Sequence, residues 1–175
     1  WGGKVPNPIN ELSKVLAGLW DDQRRITIPG FYDGVNEMTQ NERDAWSKLD
    51  VDPESALKGI GLEADANVGE AGYSFIEREW ARPTADINGI IGGYTGPGAK
   101  TVIPSKASAK ISFRLVDNQD SAQITQAFFD WLTERTPAGC HWSLEDHGGG
   151  APATCATESV SLQAAAKAIE RACGQ

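Results

Sequence analysis

Residues 107–115 read Ala-Ser-Ala-Lys-Ile-Ser-Phe-Arg-Leu, with Ala107, Ala109, Ile111, Phe113 and Leu115 on one face and Ser108, Lys110, Ser112 and Arg114 on the other. A period of two marks a half-buried strand, because successive side chains of an extended chain point to opposite sides. The run before it alternates as well. Over residues 84–91 (TADINGII), Thr84, Asp86 and Asn88 fall on one face, and Ala85, Ile87 and Ile91 on the other. The Gly- and Pro-rich stretch between the two runs carries no helical period, so the strands must pair antiparallel or nearly so.

Outward from these strands the period becomes helical. Asn7 suits an N-cap, Pro8 the first helical position, and Ile9, Leu12, Val15, Leu16, Leu19 and Trp20 recur at helical spacing. Beyond the strands, Asp120 with Gln123 reads as a capping box, and Ile124, Ala127, Phe128, Trp131 and Leu132 form an apolar stripe. A further strand is expected over about 140–146, followed by the Gly148-Gly149-Gly150 break and an Ala-rich helix from about 159 to 172. Residues of about 21–82 read as an insert after the first helix. Within it, 26–36 (ITIPGFYDGVN) suits a short hairpin or an ordered loop, Thr39 and Glu42 a capping box, Pro53-Glu54 a short helix, and 71–80 a third helix.

This order indicates an α+β two-layer sandwich, an antiparallel sheet with helices on one face. The split layout is ferredoxin-like, and such a layout normally has a strand before its first helix, so one strand of the sheet is expected to be missing from this chain.

The chain has 175 residues, 16 Lys plus Arg against 24 Asp plus Glu, a formal net charge of -8 and a hydrophobic share of 40%. It is long enough for one domain with a real core. Its acidity argues against nucleic acid or an anionic membrane as a bulk partner, since both attract basic surfaces. No run approaches the about 18 apolar residues of a spanning helix, and the N-terminus does not read as a signal peptide. Cys140, Cys155 and Cys173 cannot all pair and follow no Cys-x-x-Cys spacing, so they read as reduced thiols of a cytoplasmic protein. The chain opens at Trp1 and its sole methionine is Met38, which reads as a fragment or processed product.

Three clusters invite chemistry. The loop Gly92 to Thr101 resembles a phosphate cradle in its glycines, yet Ala99 separates Gly98 from Lys100 and Val102-Ile103-Pro104 forbids the helix such a loop needs. A flexible strand connection is the better reading. His141, Glu145 and His147, with Cys140 and Asp146 nearby, would share a face of the expected 140–146 strand, but no second ligand pair stands elsewhere, so no metal site is assigned. Arg114 ends its strand on the outward face beside Lys110 and Ser112, an isolated cationic patch in an acidic chain. A guanidinium there either clamps a substrate carboxylate or pairs with a surface acid such as Asp117.

The runs WGGKVPNPIN, ITIPGFYDGV and WARPTADINGIIGGYTGPGAKTVIPSKASAKISFRLV resemble the lid, or dimerisation, domain of the co-catalytic zinc metallopeptidases. That family takes in carnosinase-type dipeptidases, aminoacylase, glutamate carboxypeptidase, acetylornithine deacetylase and succinyl-diaminopimelate desuccinylase; the likeness is greatest to the carnosinase-like branch. The resemblance implies that Arg114 binds the substrate's carboxylate, that Thr101 reaches the partner subunit's active site, and that Asn88 lies near the same site. It implies a homodimer formed through this domain, with Ile87, Gly89 and Ile91 on the joining edge strand. Peptides or N-acyl amino acids would be the substrates. Two zinc ions would be held by a catalytic domain, with no metal ligand and no catalytic residue in this fragment, which would be inactive alone. The expected division is 1–155 for the lid domain and 156–175 for a helix leading back into the catalytic domain. A stand-alone small-molecule-binding or protein-interaction module of the same architecture is the competing reading.

Overall fold

Asn7 opens the first helix as its spacing predicts. Its Oδ1 accepts from the Ile9 N–H at 3.0 Å, and α1 spans Pro8–Ala17 in a computed structural model that describes residues 1–156 and 159–174. Leu12, Val15 and Leu16 face the core. The helical spacing of Leu19 and Trp20 does not extend the helix, because Gly18 turns the chain. The Thr27 hydroxyl donates to Gly18 O at 2.6 Å and Thr27 N–H to Leu19 O at 2.9 Å. Leu19 is still completely buried, while Trp20 forms a lone antiparallel bridge with Ile26. Residues 26–36 are the ordered-loop alternative: a run of turns that buries Ile28 and Phe31.

The segment that follows is built from short capped helices. Thr39 and Glu42 form the expected reciprocal box at the start of α2 (Gln40–Trp46), and Asp52 caps α3 (Pro53–Gly59). The helix expected over 71–80 is shorter. Ser74 and Glu77 box its start, giving α4 (Phe75–Trp80).

The two alternating runs become β1 (Thr84–Gly92) and β2 (Ala107–Arg114), paired antiparallel from Thr84 opposite Arg114 to Gly92 opposite Ala107. A bulge between Ile87 and Gly89 makes Asn88 the extra residue. One extra residue reverses the parity of everything after it. Ile91 was expected on the inward face with Ala85 and Ile87; instead it lies opposite outward-facing Ser108 and is 67% exposed. Ile90 takes the inward parity, opposite Ala109.

Asp120 caps α5 (Ser121–Glu134) by accepting from the Gln123 N–H at 2.9 Å. Its Ile124, Phe128, Trp131 and Leu132 join the α1 residues, Phe31 and Ala85 in one core over the inner sheet face. Phe113 anchors the contact, its ring 5.6 Å from Phe31 and 5.2 Å from Phe128. Each large side chain so buried contributes about 1.5–3 kcal/mol. The architecture is α+β, with helices on one face of an antiparallel ribbon.

The strand expected at 140–146 does not form. Cys140 N–H closes a turn on Pro137 O at 3.0 Å, and the Trp142 indole donates to Leu132 O at 2.9 Å. Leu132 O, in the last turn of α5, also accepts from the Arg135 N–H at 3.0 Å, so the indole is a second donor to a carbonyl that has two lone pairs. The segment therefore docks on the helix end instead of the sheet. The final helix, α6 (Val160–Cys173), is capped by Ser159 and ended by left-handed Gly174, and buries none of its side chains. Thr157, Glu158 and Gln175, within the expected 156–175 segment, lie outside the described residues.

Candidate substrate-carboxylate site

The outward face of the ribbon is where the candidate residues stand. Ser108, Lys110, Ser112 and Arg114 are all exposed, alternating with half-buried inward neighbours. Arg114 lies opposite Thr84, whose hydroxyl donates to Asp86 Oδ2 at 3.2 Å, and Asp86 lies opposite Ser112. The surface pairing considered for Arg114 is not made: among the described residues it has no ion pair with Asp117 or any other acid. A guanidinium left open on a fixed strand can receive a carboxylate in a two-bond fork.

Asn88 projects from the bulge at mid-ribbon and is exposed. Thr101 is exposed in the loop that leaves the Gly92/Ala107 end, whereas Arg114 marks the opposite end. Seven strand steps at roughly 3.3 Å separate those ends by about 23 Å. The ribbon alone therefore does not bring Arg114 to the end from which the Thr101 loop leaves. Ile87 faces inward opposite Ile111, and Gly89 and Ile91 face outward. Among the described residues the sheet has two strands, which leaves the outer edge of β1 without a partner strand.

The residues proposed and rejected as metal ligands scatter. His147 Nδ1 lies 3.8 Å from Glu145 Oε1 on exposed irregular chain, and among the described residues no three His, Cys, Asp or Glu gather into a set able to hold a metal. Among the described residues none therefore forms a set that fits a zinc centre. Cys140, Cys155 and Cys173 are free thiols. Among the described residues, no helix is long and apolar enough to cross a membrane.

Sequence reasoning missed the ionic network that holds the strand entrance. Arg82, just before β1, is 4% exposed and binds Glu70 (8% exposed) through two 2.8 Å bonds, while its Nη1 reaches Glu37 at 3.3 Å. The Arg82 guanidinium sits 4.2 Å from the Tyr73 ring and 5.1 Å from the Tyr32 ring. Burial opposes its charge, but the Glu70 bonds and charge outweigh that and raise its pKa above the ordinary arginine value. Arg25 adds a 3.1 Å contact to Glu70, and Arg43 pairs with buried Glu77 at 2.5 Å. These partners lie 12 to 45 residues apart along the chain, beyond any local spacing signal. The one available hint was Arg82 standing between apolar Ala81 and Pro83 at a strand start.

Residues 1–140 match the family model described as the peptidase dimerisation domain. The chain belongs to that family. The Cys-Gly metallodipeptidase of Candida albicans is 31% identical over 133 residues, covering 76% of this chain and 27% of the relative. The Beta-Ala-His dipeptidase of Rattus norvegicus is 31% identical over 130 residues, covering 72% of the chain and 26% of the relative. Among solved structures, an M20 family metallo-carboxypeptidase from Sulfolobus solfataricus superposes with a TM-score of 0.81 at 32% identity, over 98% of this chain and 38% of its own. This dimerisation domain therefore spans about a quarter of the length of the curated relatives it matches.

Proposed function

We propose that this dimerisation domain serves a dipeptidase or a related amidohydrolase as the element that grips the substrate and completes the partner subunit's active site. Arg114 holds the substrate carboxylate in a fixed fork, which orients the scissile bond and lowers the entropic cost of reaching the transition state. Thr101, from the second copy, supplies a hydroxyl at the same site, and Asn88 lies toward it from the bulge. Two copies join through the open edge of β1, along Ile87, Gly89 and Ile91, because an unpaired edge carries free N–H and C=O groups that a symmetric partner satisfies. The parent enzyme's two zinc ions would belong to residues other than these, in a catalytic domain. The lid would span 1–155, with the insert at about 21–82, and 156–175 would lead to that domain. A cytoplasmic location accords with the three free thiols.

The observation that supports this reading is that Arg114 stands at the end of the ribbon opposite the one from which the Thr101 loop leaves. In this reading a site needing both draws them from two chains. Subunits carrying Arg114→Ala and Thr101→Ala, each inactive as a homodimer, test this when co-expressed in the full-length enzyme. Half of the dimers are then mixed and one of their two sites keeps both native residues, so about one quarter of the activity returns. If each site took both residues from the same chain, nothing would return.

A further inference from the structure

Charge is distributed unevenly along this chain. Residues 98–116 carry Lys100, Lys106, Lys110 and Arg114 and no acid, whereas residues 21–82 carry fourteen acids against seven bases. All four cations are exposed. Arg25, Arg43 and Arg82 are engaged by Glu70, Glu77 and Glu37, but Lys106, Lys110 and Arg114 form no ion pair among the described residues.

Lys110 and Arg114 share the outward face with the Ser112 hydroxyl position between them. Lys110 lies opposite Gly89, which offers no side chain, and a Cβ added there would meet nothing within 4 Å. The surface is thus notched beside Lys110. Asp86, opposite Ser112, is the acid on the β1 half of the face, and its Oδ2 is already taken by the Thr84 hydroxyl. The face keeps a net positive charge.

We propose that Lys110 receives a second carboxylate, so that this face selects substrates whose C-terminal residue is Asp or Glu. The inference rests on Arg114 as the clamp for the main-chain carboxylate. Four strand steps set the two residues about 13 Å apart at the backbone, within the combined reach of two long flexible side chains flanking Ser112. The division of labour follows from their chemistry. The arginine fork fixes the invariant carboxylate bidentately, and the ammonium, a compact charge with freely turning donors, accepts the side-chain carboxylate from whichever rotamer it adopts.

The test uses the full-length enzyme and two matched dipeptides, Ala-Glu and Ala-Gln, which differ by one charge at nearly constant size. Wild-type kcat/KM should favour Ala-Glu by about fivefold, the upper range for an exposed ion pair. The preference should shrink as salt is raised. Lys110→Met should bring the ratio close to one and Lys110→Arg should restore most of it, with Tm unchanged for both because the side chain is exposed. A wild-type ratio of one overturns the assignment of Lys110. So does a ratio unaltered in Lys110→Met while Arg114→Ala is impaired toward both dipeptides. If Arg114→Ala turns over both dipeptides like the wild type, the clamp itself is wrong and this inference falls with it.

Discussion

Arg82 and Glu70 meet through two 2.8 Å bonds, Nε to Oε2 and Nη2 to Oε1, with both side chains nearly sealed from solvent. The pair ties the loop before α4 to the residue that leads into β1, two positions ahead of Thr84 and hence of the Thr84/Arg114 pairing. Desolvating two charges is costly, and the arrangement holds because each group is bonded on several sides: Glu70 also by Arg25, Arg82 also by Glu37 and two tyrosine rings.

Removing one partner of this pair should therefore hurt more than removing both. Arg82→Met leaves Glu70 buried beside Arg25 alone and should cost about 3–5 kcal/mol. The Arg82→Met/Glu70→Leu double variant should recover part of that loss. Urea unfolding of the single and double variants reads the difference directly. Equal losses would mean that the pair is not energetically isolated as described.

Tyr73 gives the same network a pH dependence. Burial and the bond it donates to Glu37 (2.9 Å) hold its pKa above the ordinary tyrosine value. A folded-state pKa raised above the unfolded one contributes stability that is complete below about pH 10 and is lost as pH climbs through the folded value. The wild type should thus lose Tm more steeply above that pH than Tyr73→Phe. At neutral pH the wild type should have the higher Tm, because the variant lacks the Glu37 bond, and the gap should narrow as pH rises. Thermal melts at neutral and strongly alkaline pH check both arms.

Gly93 is constrained twice. Its φ is 72°, and a Cβ built on it would lie 2.9 Å from Ile9 Cδ1. Gly93→Ala should cost the roughly 1–2 kcal/mol of a left-handed alanine plus a contact penalty against the first turn of α1. Ile9→Ala should remove the second part alone, so the two substitutions should be non-additive in a double-mutant cycle. Additive losses would show that α1 and the end of β1 are not packed this closely.

The elements that local pattern dictates were legible. Asn7-Pro8, Thr39 with Glu42, and Asp120 with Gln123 start helices because a short side chain can satisfy backbone N–H groups two or three residues away. The alternation at 107–115 marked β2 and its faces correctly. The placement of Arg114 on the outward face followed from the same period.

What the sequence by itself determined was the α+β order, the faces of β2, the helix starts and the family, all readable within a few turns of chain or from extended motifs. The tertiary structure decided the rest. The bulge at Asn88 turned Ile91 outward, because strand parity after an extra residue depends on pairing with β2. Trp142 docked on the last turn of α5, its indole donating to Leu132 O, because that contact depends on where the helix end lies in space and not on the local period. Arg82 found Glu70, Glu37 and Tyr73 across intervening loops, because a buried charge must collect its partners from wherever the fold brings them. Such contacts have no period in the sequence: each is set by distances in space between residues far apart along the chain.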